Sequence, residues 1–226
     1  MNLGDTLNLI TKISEYAGAP LVVLIAIRWV RLSMAQRFFG LLIIAIFTNQ
    51  MLASSFLGLF PTSNLPLYHV YLLIEGPGLL LLFRYRFKEK RIRKGLKIGA
   101  ISLFVLTIAN TIFLQDLDQL PSNIRTLESL TMCFLSLFYF RYVFIERKVR
   151  QLDKSFWFWV NAGILLYFTS NLLLFMFTNL LLNRDDKLFL GVWTIHASLN
   201  FLLYGCYAIG FLCQDQESSY SSSRVH

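Results

Sequence analysis

The sequence predicts an all-α, polytopic membrane protein with seven transmembrane helices, and two observations support this fold class. Hydrophobic residues make up 56% of the 226 residues and charged residues only 15%, against about 25% in soluble domains. A spanning helix needs about 20 largely apolar residues. Seven stretches of the chain meet this requirement: 8–31, 38–60, 66–87, 96–115, 123–145, 156–182 and 188–213.

The first of these stretches, 8–31, is the least regular. Its cleanest apolar run, 17–30, is too short to span, so the helix must include Lys12 and Glu15, and Pro20 is expected to bend it. Because the connections are short, helices that follow one another in the chain are expected to pack as antiparallel neighbours.

The distribution of Lys and Arg predicts the orientation, since positive residues accumulate on the cytoplasmic side of a membrane. With the N-terminus outside, 17 of the 21 Lys and Arg residues fall on the inner side. The four on the outer side are Lys12, Arg125, Arg184 and Lys187. We therefore expect a seven-helix domain over 1–213 in the cell inner membrane, N-terminus out and C-terminus in. A polar, Ser-rich tail over 214–226 is expected to be disordered in the cytoplasm.

Helices one and five are similar at an offset of 113, which aligns Lys12 with Arg125 and Glu15 with Glu128. Helices two and six share related segments at 46–52 and 167–173. A parallel repeat of three plus one plus three helices, with the fourth as connector, explains both similarities. The alternative is that any spanning helix selects acids at its outer end and arginines at its inner end.

Several classes of protein are excluded. The net charge of +8 lies in short segments between apolar runs, so no nucleic-acid partner is expected. Cys133, Cys206 and Cys213 lie within or at the ends of apolar runs and predict no disulfide framework. No phosphate loop, nucleophile elbow or zinc-protease helix occurs. His69 and His196 lack the spacing of a metal site, and no cofactor is predicted.

Polar residues inside the spans predict a pocket that opens outward. Such residues are costly in hydrocarbon and face the bundle interior, and here they cluster at similar depth near the outer ends, whereas the inner half is almost wholly apolar. Helical spacing places some of them on shared faces. The alternative is that they form interhelical hydrogen bonds, each contributing about 0.6–2 kcal/mol. The candidate ligand-binding residues are Asn49, Tyr68, Tyr71, Glu75, Glu128, Asn171, His196, Asn200 and Tyr204.

Glu75 is the residue whose burial most needs a physical reason. It lies near the bilayer midplane with no basic residue one turn away, so it must be protonated or paired across helices. Gly76, Pro77 and Gly78 follow it, and the two glycines allow close approach of a neighbour. This combination suits an ion, proton or cationic-group site, or else a neutral acid that donates to an Asn. Glu128 is expected to pair locally with Arg125, three residues earlier.

The basic segment from Arg84 to Lys97 follows the third helix. It is expected to fix the topology and to contact anionic lipid head groups, a favourable term of about 1 kcal/mol per residue near the surface. Docking of a cytoplasmic signalling partner is the alternative.

The segments 67–77, 156–177 and 193–213 (LYHVYLLIEGP, FWFWVNAGILLYFTSNLLLFMF and WTIHASLNFLLYGCYAIGFLC) resemble a group of uncharacterised seven-helix bacterial inner-membrane proteins. The resemblance implies the helix count and no activity. The layout is also similar to the seven-helix arrangement of SWEET-type transporters and opsins, although the Pro-Gln motif of PQ-loop transporters is absent.

These features favour a non-enzymatic protein that binds a small ligand, either a sensor or receptor-like module or a small carrier. Two alternatives stay open. One is an intramembrane enzyme that acts on lipid, with Glu75 or Glu128 and His196 as acid–base groups. The other is a structural subunit of a membrane complex.

Overall fold

The computed structural model describes residues 9–10, 12–59, 64–146, 152–182 and 186–213, and every regular element in these ranges is a helix. Seven α-helices follow one another, and the predicted all-α fold with seven helices is confirmed for this part of the chain. The predicted tail, 214–226, lies outside the described residues. The helices are α1 (Ala19–Arg28), α2 (Met34–Leu59), α3 (Leu65–Phe83), α4 (Lys90–Phe113), α5 (Ser122–Glu146), α6 (Phe156–Leu182) and α7 (Asp186–Leu212).

The lengths and hydropathies of the helices indicate a membrane protein. Large apolar side chains such as Phe134, 75% exposed, cover the outside of the bundle, where lipid is the fitting solvent. Six stretches of the described residues are long and apolar enough to cross a membrane: Lys12–Arg31, Met34–Ser55, Leu65–Phe83, Lys90–Phe113, Ser122–Ile145 and Thr194–Leu212. The count of seven spans stays a prediction.

The helix boundaries differ from the prediction most at two places, while α2 begins four residues earlier than predicted and α3 ends four residues earlier. The predicted first helix, 8–31, is interrupted by turns at 16–18, and α1 begins there with Pro20 in its first turn, where a backbone N–H is not needed. Helix α4 begins at Lys90 rather than 96, because Lys and Arg favour helices and the N–H of Arg93 donates to the carbonyl of Glu89 at 3.0 Å. The second half of the basic segment is therefore helical, with its Lys and Arg side chains exposed.

Helix α3 occupies a central position, because it packs against α2, α4 and α5. It stays helical through Pro77. A Cβ added at Gly76 would lie 2.6 Å from Leu103 Cδ2 of α4, and one added at Gly78 would lie 2.4 Å from Leu42 Cδ1 of α2. The expected close approach at both glycines is therefore present. Around α3, helix α6 packs between α5 and α7, and α7 also contacts α1.

The end of the bundle that carries Arg84 to Lys97, here called the basic end, has a mainly aromatic core. Phe39 stacks on Phe211 with ring centroids 5.7 Å apart. Arg86 is only 2% exposed, and its guanidinium lies 5.5 Å from the ring centroids of Tyr139 and Tyr142. The prediction that this half is almost wholly apolar is wrong at Arg86, whose charge two aromatic faces stabilise.

Candidate functional site

A cavity of about 770 Å³ lies at the end of the bundle opposite the basic end, here called the cavity end. Its volume falls within the range of about 300–1,000 Å³ that is typical of small-molecule sites. Helices α2, α3, α5, α6 and α7 contribute to it, together with the segment before α1 and the α4–α5 connection. The lining residues are Ser14, Glu15, Ile46, Asn49, Gln50, Ala53, Asn64, Leu65, Tyr68, Tyr71, Asp118, Gln119, Leu120, Arg125, Tyr167, His196, Ala197, Asn200 and Tyr204.

The structure brings six of the nine predicted site residues to the cavity wall: Asn49, Tyr68, Tyr71, His196, Asn200 and Tyr204. The other three, Glu75, Glu128 and Asn171, are buried and do not line the cavity. The predicted convergence of polar side chains from several helices is therefore present for the wall, while Glu75 and Glu128 lie one layer behind it.

Arg125 at the cavity wall forms a buried ion cluster with Glu75 and Glu128 behind the wall, and these three residues are here called the charge cluster. Nη1 of Arg125 donates to Oε2 of Glu75 and, at 2.7 Å, to Oε2 of Glu128. Nη2 of Arg125 donates to the hydroxyl of Tyr167 at 3.2 Å. The three charged residues are at most 5% exposed. The cluster thus joins α3, α5 and α6, with Arg125 at the cavity surface and the two acids behind it.

Arg125 is the residue that the sequence interpretation misplaced. The sequence places it among the four cations of the outer side, but it is 2% exposed and lines the cavity. Its local pair with Glu128 is present as expected, and the cross-helix partner of Glu75 is the same guanidinium. The sequence does contain one sign that Arg125 is buried: it lies in the first turn of an apolar helix, on the same face as Glu128.

Aromatic rings surround the guanidinium of Arg125. Its Cζ lies 5.3 Å from the ring centroid of Tyr71, 6.0 Å from that of Tyr167 and 5.4 Å from that of Phe168. Tyr68 stacks on Tyr71 with ring centroids 5.7 Å apart. Desolvated cation–π contacts are worth about 2 kcal/mol, so these rings offset part of the cost of burying the cation.

The formal charges of the charge cluster do not balance. Two carboxylates meet one guanidinium, which leaves a formal charge of −1 when both acids are ionised. Among the described residues, Oε1 of Glu128 has no hydrogen-bond partner, and it lies 2.8 Å from where a Cβ of Gly76 would be. An uncompensated buried ion costs several kcal/mol. A proton or a cation bound to the cluster would remove this cost.

His196 connects the cavity to the same layer. Nδ2 of Asn171 donates to the carbonyl of Tyr167 at 2.8 Å, so Oδ1 of Asn171 faces His196 Nδ1 at 2.9 Å as an acceptor. The imidazole therefore carries a proton on Nδ1, and Nε2 is an acceptor that lies 3.5 Å from Nδ2 of Asn200. The wall thus presents an imidazole acceptor, amides and tyrosine hydroxyls to a ligand.

His69 lies outside the cavity wall, as its helical position predicts. Its Nε2 donates to the carbonyl of Gln119 at 3.0 Å, and its Nδ1 lies 2.8 Å from the hydroxyl of Thr111. His69 thereby joins α3 to α4 and to the α4–α5 connection. Within the described residues, no group of three His, Cys, Asp or Glu side chains could hold a metal ion.

We expect His69→Phe to lower the free energy of unfolding by about 1–2 kcal/mol, because it removes two hydrogen bonds that the buried imidazole makes between α3 and its neighbours. Denaturant unfolding in micelles measures the loss. Val70→Phe is the matched control, because Val70 is exposed on the same helix and its replacement should change little. Equal stability of the two variants would contradict a structural role for His69.

No protein-family model, no curated protein and no solved structure matches this chain. The resemblance to seven-helix bacterial inner-membrane proteins therefore gains no support from these comparisons. Fold and site together define a class: a helical membrane protein with a polar cavity at one end and a buried charge cluster beneath it.

Proposed function

We propose that this chain is a non-enzymatic membrane protein that binds a small molecule in the cavity, as a sensor or receptor-like module or as a small carrier. The observation that carries the proposal is the cavity itself. It has the volume of a small-molecule site, and its wall combines four tyrosines with amides and an imidazole acceptor. Binding sites of this kind join apolar contact with a few placed polar groups.

The proposed orientation places the cavity end outside the cell inner membrane, with the N-terminus out and the C-terminus in. The distribution of Lys and Arg supports this orientation. Because Arg125 is buried, only Lys12, Arg184 and Lys187 remain as cations of the outer side, which strengthens the asymmetry. The exposed cations of the basic end would contact anionic lipid head groups or a cytoplasmic signalling partner. Helix α6 would be the seventh span, and the three-plus-one-plus-three repeat stays part of this proposal.

The enzyme alternative has less support from the geometry. Glu75 and Glu128 lie behind Arg125 rather than at the cavity wall, so neither carboxyl faces the space that a lipid substrate would occupy. His196 does line the cavity, but its Nδ1 proton is held by Asn171. The alternative of a structural subunit does not explain why the chain has a polar cavity.

Filling the cavity should abolish ligand binding while the fold is retained. Ala53 lines the cavity and is 9% exposed, so the ring of Ala53→Phe would occupy ligand space. The wild-type chain, screened in detergent against a metabolite library, should gain about 2.7 kcal/mol of stability at a hundred-fold excess of a ligand over its Kd. Thermal unfolding measures this gain, which the variant should lose.

Ala26→Phe is the matched control, because Ala26 is exposed to lipid on α1 and its replacement should leave the ligand effect intact. A library without a stabilising compound, or a compound that stabilises Ala53→Phe as much as the wild type, would overturn the proposed function.

A further inference from the structure

We propose that the charge cluster is a proton-binding site: it holds one proton at neutral pH, carried by Glu128 and exchanged with water through the cavity. The inference concerns the empty protein and does not depend on the identity of a ligand. If the chain is a carrier or a sensor, release or uptake of this proton would be coupled to binding of the small ligand in the cavity.

The geometry of Arg125 is the first argument. Both Glu75 and Glu128 direct an oxygen at the same nitrogen, Nη1, so two carboxylates converge on one donor group. The other terminal nitrogen, Nη2, is engaged by Tyr167. One guanidinium neutralises one of the two acids, and like charges at such short range raise the affinity of one of them for a proton.

The surroundings of the charge cluster offer no second positive charge within the described residues. Helix α3 contributes Tyr68, Tyr71 and Glu75, α6 contributes Tyr167, and α7 contributes Tyr204 and His196, whose Nε2 is an acceptor. Helix α4 contributes the apolar side chain of Leu103 beside Gly76. None of these groups is a cation at neutral pH. The second carboxylate of the charge cluster is therefore neutralised by a proton that it takes up from water.

Glu128 is the better proton carrier of the two acids. Its Oε1 is buried without a hydrogen-bond partner among the described residues, and it lies 2.8 Å from where a Cβ of Gly76 would be, a position that Leu103 Cδ2 approaches to 2.6 Å. A neutral carboxyl tolerates an unmatched oxygen in apolar surroundings far better than a carboxylate does. Glu75, in contrast, pairs with Arg125 and has no oxygen that is buried without a partner among the described residues.

The cavity provides the path for exchange. Arg125 itself lines the cavity and contacts both acids. Tyr167, whose hydroxyl accepts from Arg125, lines the cavity as well. Arg125 thus borders the cavity directly, and its side chain is the one layer between the cavity and the two acids.

Infrared spectroscopy of the full-length chain in lipid nanodiscs tests the proposal. A protonated buried carboxyl shows a C=O stretch above the amide I band, and it shifts in D2O once its proton exchanges. We expect one such band at neutral pH, shifted in D2O, abolished in Glu128→Gln and kept in Glu15→Gln. Glu15 is the control because it also lines the cavity, but it accepts from Ser54 at 2.7 Å outside the charge cluster.

Three results would overturn the proposal. The first is the absence of a carboxylic-acid band at neutral pH. The second is a band that persists in Glu128→Gln, and the third is a band that does not shift in D2O. Should Glu128→Gln not fold, Glu128→Asp keeps an acid at the site and should move the band without removing it, whereas an unmoved band would place the proton elsewhere. Alkaline titration of the wild type should then remove the intensity of one carboxyl.

Discussion

Arg125→Met is expected to destabilise the protein by about 3–5 kcal/mol, the usual cost of removing one partner from a buried ion pair. The variant leaves Glu75 and Glu128 facing each other in the bundle interior without the guanidinium that now binds both. It also removes the cation–π contacts with Tyr71, Tyr167 and Phe168. Denaturant unfolding in mixed micelles provides the free energy.

Two further variants test whether the instability of Arg125→Met comes from the unpaired acids or from the loss of any cation. Combining Arg125→Met with Glu75→Gln and Glu128→Gln removes the unpaired acids, and this triple variant should recover most of the lost stability, since a neutral cluster has no ion to bury. Arg91→Met is the control for loss of a cation, because Arg91 is exposed on α4. A triple variant as unstable as Arg125→Met would show that the charges are not the cause.

Gly76→Val is expected to destabilise the protein by about 3 kcal/mol, at the upper end for overpacking a tight interior. A Cβ at this position would lie 2.6 Å from Leu103 Cδ2 and 2.8 Å from Oε1 of Glu128. The first contact would push α3 away from α4, and the second would displace Glu128 from Arg125. Thermal unfolding and the infrared carboxyl band should therefore change together.

Gly95→Val is the matched control for Gly76→Val, since nothing lies within 4 Å of a Cβ at Gly95 in α4. Valine has a better helix propensity than glycine by a few tenths of a kcal/mol, so this variant should be neutral or slightly stabilising. If both variants unfold alike, the close approach at Gly76 is not what limits the packing of α3.

The helices were predictable because the bilayer requires long apolar runs, and such runs are visible in any sequence. Six of the nine candidate residues reach the cavity wall for a related reason. Polar side chains within a spanning helix avoid lipid, so Tyr68, Tyr71 and Asn200 had to face inward. Boundaries were predicted less well, because the charged residues from Lys90 onward end the apolar run without ending the helix.

The role of Arg125 could not be read from the sequence in the same way. A cation in the first turn of a helix usually lies near the membrane surface, and only the tertiary contact between α3 and α5 places it against Glu75. Likewise, Glu128 is a short-range partner of Arg125 by spacing, but its position behind the cavity wall depends on the absence of a side chain at Gly76. Both facts arise from packing between helices distant in sequence.

The charge cluster also has a consequence for how the chain is made. Arg125 and Glu128 are three residues apart on one face of α5, so these two can pair as soon as this helix forms. Helix α3 is synthesised earlier, and Glu75 enters it 50 residues before its partner exists. Until α5 arrives, α3 must carry a lone acid in lipid, at a penalty of a few kcal/mol. In a nascent chain that ends before α5, Glu75 would have no partner, and α3 would therefore be less stable in the membrane than in the complete bundle.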